Sequence, residues 1–198
     1  MKLNLGKTTL RINISFAAAV TLTLIIDESG LCAAALFCCV VHELGHIICL
    51  YILGEKPKLI ELSFYGIRLE QNNNCMNFFE NITVYLSGPA ANFILSAVLF
   101  AFGRIYGIKT MAVTSLCVGI FNMLPCVPLD GGNLLNLVLS SFTSEESCRK
   151  ISFFVSVLII LPLLICGFVM VFRNGNITLI AVSVYLAAVT FLNNKNKI

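Results

Sequence analysis

The chain has 198 residues, of which 58% are hydrophobic and 12% charged, with a mean hydropathy of +0.93. A soluble domain carries about twice that share of charge, and a single core of this size could not hide so much apolar surface. An ordinary water-soluble globule is therefore excluded, and the net charge of +3 is too small to mark a nucleic-acid binder.

The solvent for most of this surface is lipid. The expected fold class is an all-α polytopic membrane protein with about six transmembrane helices and a short membrane-associated β segment near the site. Residues 1–11 are basic and lead into an apolar run, as in a signal peptide. No small-x-small cleavage pattern precedes Asp27-Glu28, so the run at about 12–26 is expected to be a retained first span. Further apolar stretches, near the ~20 residues that cross a bilayer, lie at 31–53, about 82–102, 110–124, 151–172 and 177–192. Pro125 and Pro128 break the chain after the fourth.

Six spans put both termini on one side. Lys2, Lys7, Arg11, Lys56, Lys58, Arg68, Arg149, Lys150, Lys195 and Lys197 then share that side, and only Arg104, Lys109 and Arg173 fall opposite. This positive-inside bias predicts a multi-pass protein of the bacterial cytoplasmic membrane with both termini cytoplasmic.

Two connections are longer than linkers need to be. In 59–70, Ile60, Leu62 and Phe64 alternate with Glu61, Ser63 and Tyr65, and the phase slips at Gly66. That pattern predicts a strand pair or a bulged strand, followed by the polar loop Gln71-Asn72-Asn73-Asn74. Residues 139–150 read as a polar surface linker. No internal repeat or appended soluble domain is evident, so residues 1–198 are expected to form one membrane-embedded domain. Its catalytic core is about 31–135, with additional helices at about 12–26 and 151–192. Nine cysteines form no Cys-x-x-Cys pair and mostly sit in apolar runs, as small buried hydrophobes do. Cys126 stands out by lying four residues before Asp130.

The chemistry concentrates in the second span. His42 and His46, the only two histidines of the chain, are four residues apart and share one helix face. With Glu43 they form the H-E-x-x-H arrangement of two zinc ligands and a general base. Each such group costs at least ~2 kcal/mol in lipid when unpaired, and a metal supplies the partner. His46 lies seven residues before Leu53, about 10 Å from the cytoplasmic end of the helix. A catalytic zinc has three protein ligands and an open position. Asp27, Glu28, Glu55, Glu145 and Glu146 fall in predicted solvent loops, Glu61 and Glu70 in the strand segment, and Glu80 near a span end. Asp130 instead lies in 121–135, where two prolines and two glycines interrupt apolar sequence. Irregular backbone at membrane depth survives only against protein or a wet cavity. A second reading, that Asp130 caps a helix starting near Asn133, is compatible with ligation.

These residues resemble the site-2 protease family. H-E-L-G-H at 42–46, S-G-P-A-A-N-F at 87–93 and N-M-L-P-C-V-P-L-D-G-G at 122–132 match its motifs in the same order, over more than half of the chain. The form around Asp130 looks most like the bacterial branch that processes a sporulation sigma-factor precursor. The resemblance implies one Zn2+ per chain held by His42, His46 and Asp130, with Glu43 as base. Asn92 and Asn122 become polar groups near the site, positioning substrate or bonding between helices. Many members carry Arg after Asp-Gly-Gly, where this chain has Asn133. No cystathionine-synthase-like or peptide-binding regulatory domain is evident.

The expected activity is cleavage of membrane-associated or membrane-tethered proteins near the cytoplasmic face, with the lipid bilayer, substrate and regulatory membrane proteins as partners and no nucleic acid. Two rivals remain at this level. One is an intramembrane metal transporter or sensor, which should line a path with polar groups rather than gather them at one depth. The other is a catalytically inactive relative that binds membrane proteins, although all four site groups are present.

Overall fold

The computed structural model describes residues 2–5, 8–12, 21, 27, 30–55, 59–63, 66–70, 76–103, 106–174 and 177–195. The chain divides into two compact units, Met1–Gly119 and Ile120–Ile198.

In the first unit, strands β1 (Lys2–Leu5) and β2 (Thr8–Ile12) form an antiparallel hairpin. Strands β3 (Leu59–Ser63) and β4 (Gly66–Glu70) form a second, so the phase slip at Gly66 marks the start of a new strand. β2 pairs in parallel with β3, which makes one sheet in the order β1-β2-β3-β4. β3 is therefore paired on both sides, and β1 and β4 are the edges. The N-terminal hairpin was not expected, although Lys2-Leu3-Asn4-Leu5 alternates polar and apolar residues as strands do. Ile12, the first residue assigned to an N-terminal span, closes β2, and most of 12–26 lies outside the described residues. So does the loop 71–74.

Helix α1 (Leu31–Ile52) has 22 residues, about 33 Å at 1.5 Å each, enough to cross the ~30 Å hydrocarbon layer. Asp27 Oδ2 accepts the Cys32 N–H at 2.6 Å, satisfying a donor that the first turn leaves open. Gly54, at φ 79°, turns the chain out of the helix in the left-handed region that glycine adopts without strain. Helix α2 (Phe78–Phe102) opens with a capping box between Asn77 and Glu80, with Asn77 N–H to Glu80 Oε2 at 2.6 Å. Glu80 is thus occupied by its helix end. Helix α3 (Tyr106–Asn122) follows.

α1 packs on α2 through small residues. A Cβ added to Gly45 would lie 2.6 Å from the Ser87 carbonyl oxygen and 2.8 Å from Ala91 Cβ. Backbones approach this closely only where side chains are minimal. Ser87, Gly88 and Ala91 serve this contact, whereas Ala90 is exposed. Pro89 sits inside α2 and removes one rung of its hydrogen-bond ladder.

The second unit holds α4 (Asp130–Ser140), α5 (Glu145–Asn174) and α6 (Thr178–Lys195). Cys126, Ile160 and Leu186 form its buried core, with Phe121, Leu129 and Leu163 against it. The stretch 139–150 is not one linker: α4 ends at Ser140 and α5 starts at Glu145. Ser144 Oγ accepts the Ser147 N–H at 3.4 Å, and two glutamates follow in the first turn, a favourable start for a helix.

Among the described residues, three helices are long and apolar enough to cross a membrane: Leu31–Ile52, Phe78–Phe102 and Glu145–Arg173. Gly107–Asn122 and Thr178–Asn194 are shorter apolar helices. The outward large side chains of α5, Leu158, Leu161, Ile165 and Phe168 among them, suit contact with lipid. The chain is an apolar helical membrane protein.

Candidate metal centre

α1 is apolar along almost its whole length, yet it buries two imidazoles. His42 and His46 are about 5% and 6% exposed, and their Nε2 atoms stand 3.2 Å apart. The rings are edge to face, 85° between planes. A tetrahedral ion at ~2.05 Å from two nitrogens sets them about 3.3 Å apart. The observed separation matches the spacing that two nitrogen ligands of one zinc ion would have.

The far side of each ring is held by α2. His46 Nδ1–H donates to the Val84 carbonyl at 2.7 Å, and the Ser87 hydroxyl, itself donating to Val84 at 2.7 Å, lies 3.4 Å away. This bond fixes the tautomer that leaves the His46 Nε2 lone pair for a metal. The Asn92 side-chain amide lies 3.3 Å from His42 Nδ1, and Asn92 is fully buried. The amide atom facing Nδ1 is Nδ2; the same amide turned by 180° puts its oxygen on Nδ1–H and leaves His42 Nε2 free for a metal. Asn92 Oδ1 faces Ser115 of α3, whose hydroxyl donates to the Asn92 main-chain carbonyl at 2.9 Å and lies 3.4 Å from Oδ1.

Gly88 completes the cradle. A Cβ there would overlap His46 Nε2 and lie 2.7 Å from His46 Cε1 and 2.9 Å from His42 Cε1. Only a bare backbone lets α2 pass both rings. Glu43, half-buried, follows His42 directly on α1. A carboxylate there can exchange a proton with water beside the imidazole pair.

The second unit carries Asp130 and Asn122. Asn122 ends α3, and Asp130 is the first residue of α4, following the N-cap Leu129. The helix therefore starts at Asp130 and not near Asn133, so Asp130 belongs to the first turn and does not cap it. Between them, residues 123–129 are irregular and include a cis Val127–Pro128 bond. The two glycines after Asp130 are required by packing. A Cβ on Gly131 would overlap the Met123 carbonyl oxygen and lie 2.6 Å from that of Leu124. One on Gly132 would overlap the Cys126 carbonyl carbon and lie 2.6 Å from Val127 N. Cys126 itself is fully buried in the core of this unit.

Among the residues expected to form the site, the structure joins His42, His46 and Asn92 in one hydrogen-bonded group. Val84, Ser87 and Ser115 extend it. Ser115 carries no signal in the sequence, because a serine in an apolar run is an ordinary helix-packing residue.

The peptidase family M50 model matches residues 103–163. A zinc metalloprotease of Methanocaldococcus jannaschii is 27% identical over 156 residues, 74% of this chain and 44% of that protein. A Synechocystis protein provisionally named a zinc metalloprotease is 31% identical over 126 residues, 58% of this chain and 33% of its own length. The chain thus spans less than half the length of these curated relatives. Its fold is similar to that of the site-2 protease from Methanocaldococcus jannaschii, at a TM-score of 0.70 and 23% identity over 98% of this chain and 94% of that one.

The chain is thus similar to family M50 peptidases over residues 103–163, and its fold is similar to that of a site-2 protease. The imidazole pair fits zinc, the metal in the names of these relatives.

Proposed function

We propose that this chain is an intramembrane zinc endopeptidase that cuts membrane-embedded or membrane-tethered proteins near the cytoplasmic face. One observation carries the reading. Two buried imidazoles on an apolar, bilayer-length helix present Nε2 atoms 3.2 Å apart, with both Nδ1 atoms held and a carboxylate next in sequence.

Asp130 supplies the third ligand, a carboxylate beside two imidazoles being a common donor set for catalytic zinc. Zinc held by His42, His46 and Asp130 would supply Lewis acidity, toward the scissile carbonyl and toward water near neutral pH. Glu43 takes the proton of the attacking water and returns it to the leaving amine. Asn92 and Val84 keep the imidazoles in the ligating tautomer. Asn122, the last residue of α3, contributes polar contacts to substrate.

A helical substrate hides its peptide carbonyls and must unwind to be cut. We place its extended form along the free edge of β4, next in the sheet to β3. β3 cannot take an added strand, since both its edges are paired. Six spans, with both termini in the cytoplasm of a bacterium, follow from the ten-to-three distribution of basic residues. Processing of a sporulation sigma-factor precursor is the finest form of the proposal and rests on the Leu-Pro-x-x-Pro-Leu-Asp-Gly-Gly pattern at 124–132.

The test compares new protein termini in membranes of cells carrying the native chain or Glu43→Gln, in growth and in starvation. Fragments ending in or beside a transmembrane segment should vanish in the variant. If every such terminus persists, the chain does not make them.

A further inference from the structure

Val127 is held from two helices at once. Its N–H donates to Ser156 Oγ of α5 at 3.3 Å, and its carbonyl accepts from Thr190 Oγ1 of α6 at 3.0 Å. Ser156 is fully buried and Thr190 is 4% exposed. A serine or threonine in an apolar helix ordinarily bonds back to the carbonyl four residues earlier. Ser183 of α6 does so, to Leu179 at 2.7 Å. Thr190 instead spends its proton on a peptide 63 residues away in sequence.

Elsewhere in the irregular stretch the bonds are local, Asn133 Nδ2 of α4 reaching the Pro128 carbonyl at 3.5 Å. Cys126 N–H bonds the Leu124 carbonyl at 2.7 Å, and Leu129 N–H bonds that of Cys126 at 2.8 Å. Only the Val127 peptide groups look outward to side chains of other helices for both partners. Movement of this stretch must reach Asp130. Gly131 and Gly132 lie against Met123, Leu124, Cys126 and Val127 with no room for a methyl group. The first turn of α4 and the stretch before it therefore shift together.

We propose that Ser156 and Thr190 are positioning residues of the metal centre: they clamp the Val127 peptide from opposite sides and thereby aim the Asp130 carboxylate. This rests on the reading of Asp130 as a zinc ligand. Without the clamp, two backbone groups in an apolar setting lose their partners, and the stretch moves to satisfy them. Partners of this kind typically change metal affinity by about ten- to a hundredfold.

The test uses the purified full-length chain in lipid nanodiscs, loaded with zinc. The rate of zinc transfer to a chromogenic chelator is measured for Ser156→Ala, Thr190→Val, Thr190→Ser and Asp130→Ala. The cobalt-substituted forms are compared by visible absorption, which reports ligand geometry directly. Thr190→Val keeps the side-chain shape without the hydroxyl, and Thr190→Ser keeps the hydroxyl without the methyl.

The clamp predicts zinc loss roughly tenfold faster or more in Ser156→Ala and Thr190→Val, a shifted cobalt spectrum in both, and near-native behaviour in Thr190→Ser. Thr190→Ser as leaky as Thr190→Val would mean that packing matters and the hydroxyl does not, which overturns the proposal. So would native zinc release in both hydroxyl-deleted variants while Asp130→Ala leaks. Native release from Asp130→Ala itself would overturn the ligand reading, and the clamp with it. Ser156 and Thr190 act through separate bonds, so a single folded variant suffices.

Discussion

The Cβ that Gly88 lacks would sit on His46 Nε2. The backbone of α2 passes this atom of α1 at a distance that leaves room for a hydrogen and nothing more. That relationship ties a small-residue helix contact directly to the chemistry.

Gly88→Ala is therefore expected to displace both imidazoles and abolish stoichiometric zinc binding, at an overpacking cost of about 1–3 kcal/mol. Zinc per chain by elemental analysis, beside a thermal melt, checks this. Gly107→Ala is the control: its Cβ meets nothing within 4 Å. It should bind zinc normally and melt no lower, since alanine favours the helix by roughly 0.5–1 kcal/mol.

Asn92 holds the His42 ring by the atom that faces away from the metal. Asn92→Ala should weaken zinc binding by about ten- to a hundredfold while leaving all proposed ligands in place. Ser115→Ala, one bond further out, should act in the same direction and less. Competition with a chelator of known affinity gives both numbers, and equal affinity in native chain and Asn92→Ala would remove Asn92 from the site.

Glu43→Gln should retain zinc and lose cleavage by a factor on the order of 10²–10⁴, the usual contribution of a positioned proton carrier. His42→Ala should lose both. A variant at Glu43 that cleaves at the native rate would show that another group moves the proton.

Chelation of the native chain should stop cleavage, and added zinc should restore it. Recovery after metal addition separates metal loss from unfolding, which a melt of the metal-free chain would show independently.

The sheet makes its own distinction. Ile60→Pro falls in β3, which is paired on both sides, and should lower stability through lost ladder bonds. Of Arg68→Pro and Leu69→Pro in edge strand β4, one removes an N–H that points to the open edge. That variant should stay folded and cleave poorly if substrate adds there. Native cleavage rates in both would place substrate elsewhere.

Membrane residence, the helical class and the zinc motif were legible because each depends on composition or on local periodicity. An apolar fraction of 58% leaves lipid as the solvent. A spacing of four residues puts His42 and His46 on one face in any α-helix. Proline and glycine around Asp130 signal a break wherever they occur. The N-terminal hairpin was hidden because nine residues of weak alternation cannot show which strand they pair with, and β2 finds β3 some 50 residues on. Only the tertiary structure decided which atoms hold the site in shape. Val84 reaches His46 across 38 residues, Asn92 reaches His42 across 50, and Thr190 reaches Val127 across 63. Such bonds follow no period. They exist because Gly45 and Gly88 let two helices touch, and because buried polar groups in lipid must find partners wherever the packing brings them.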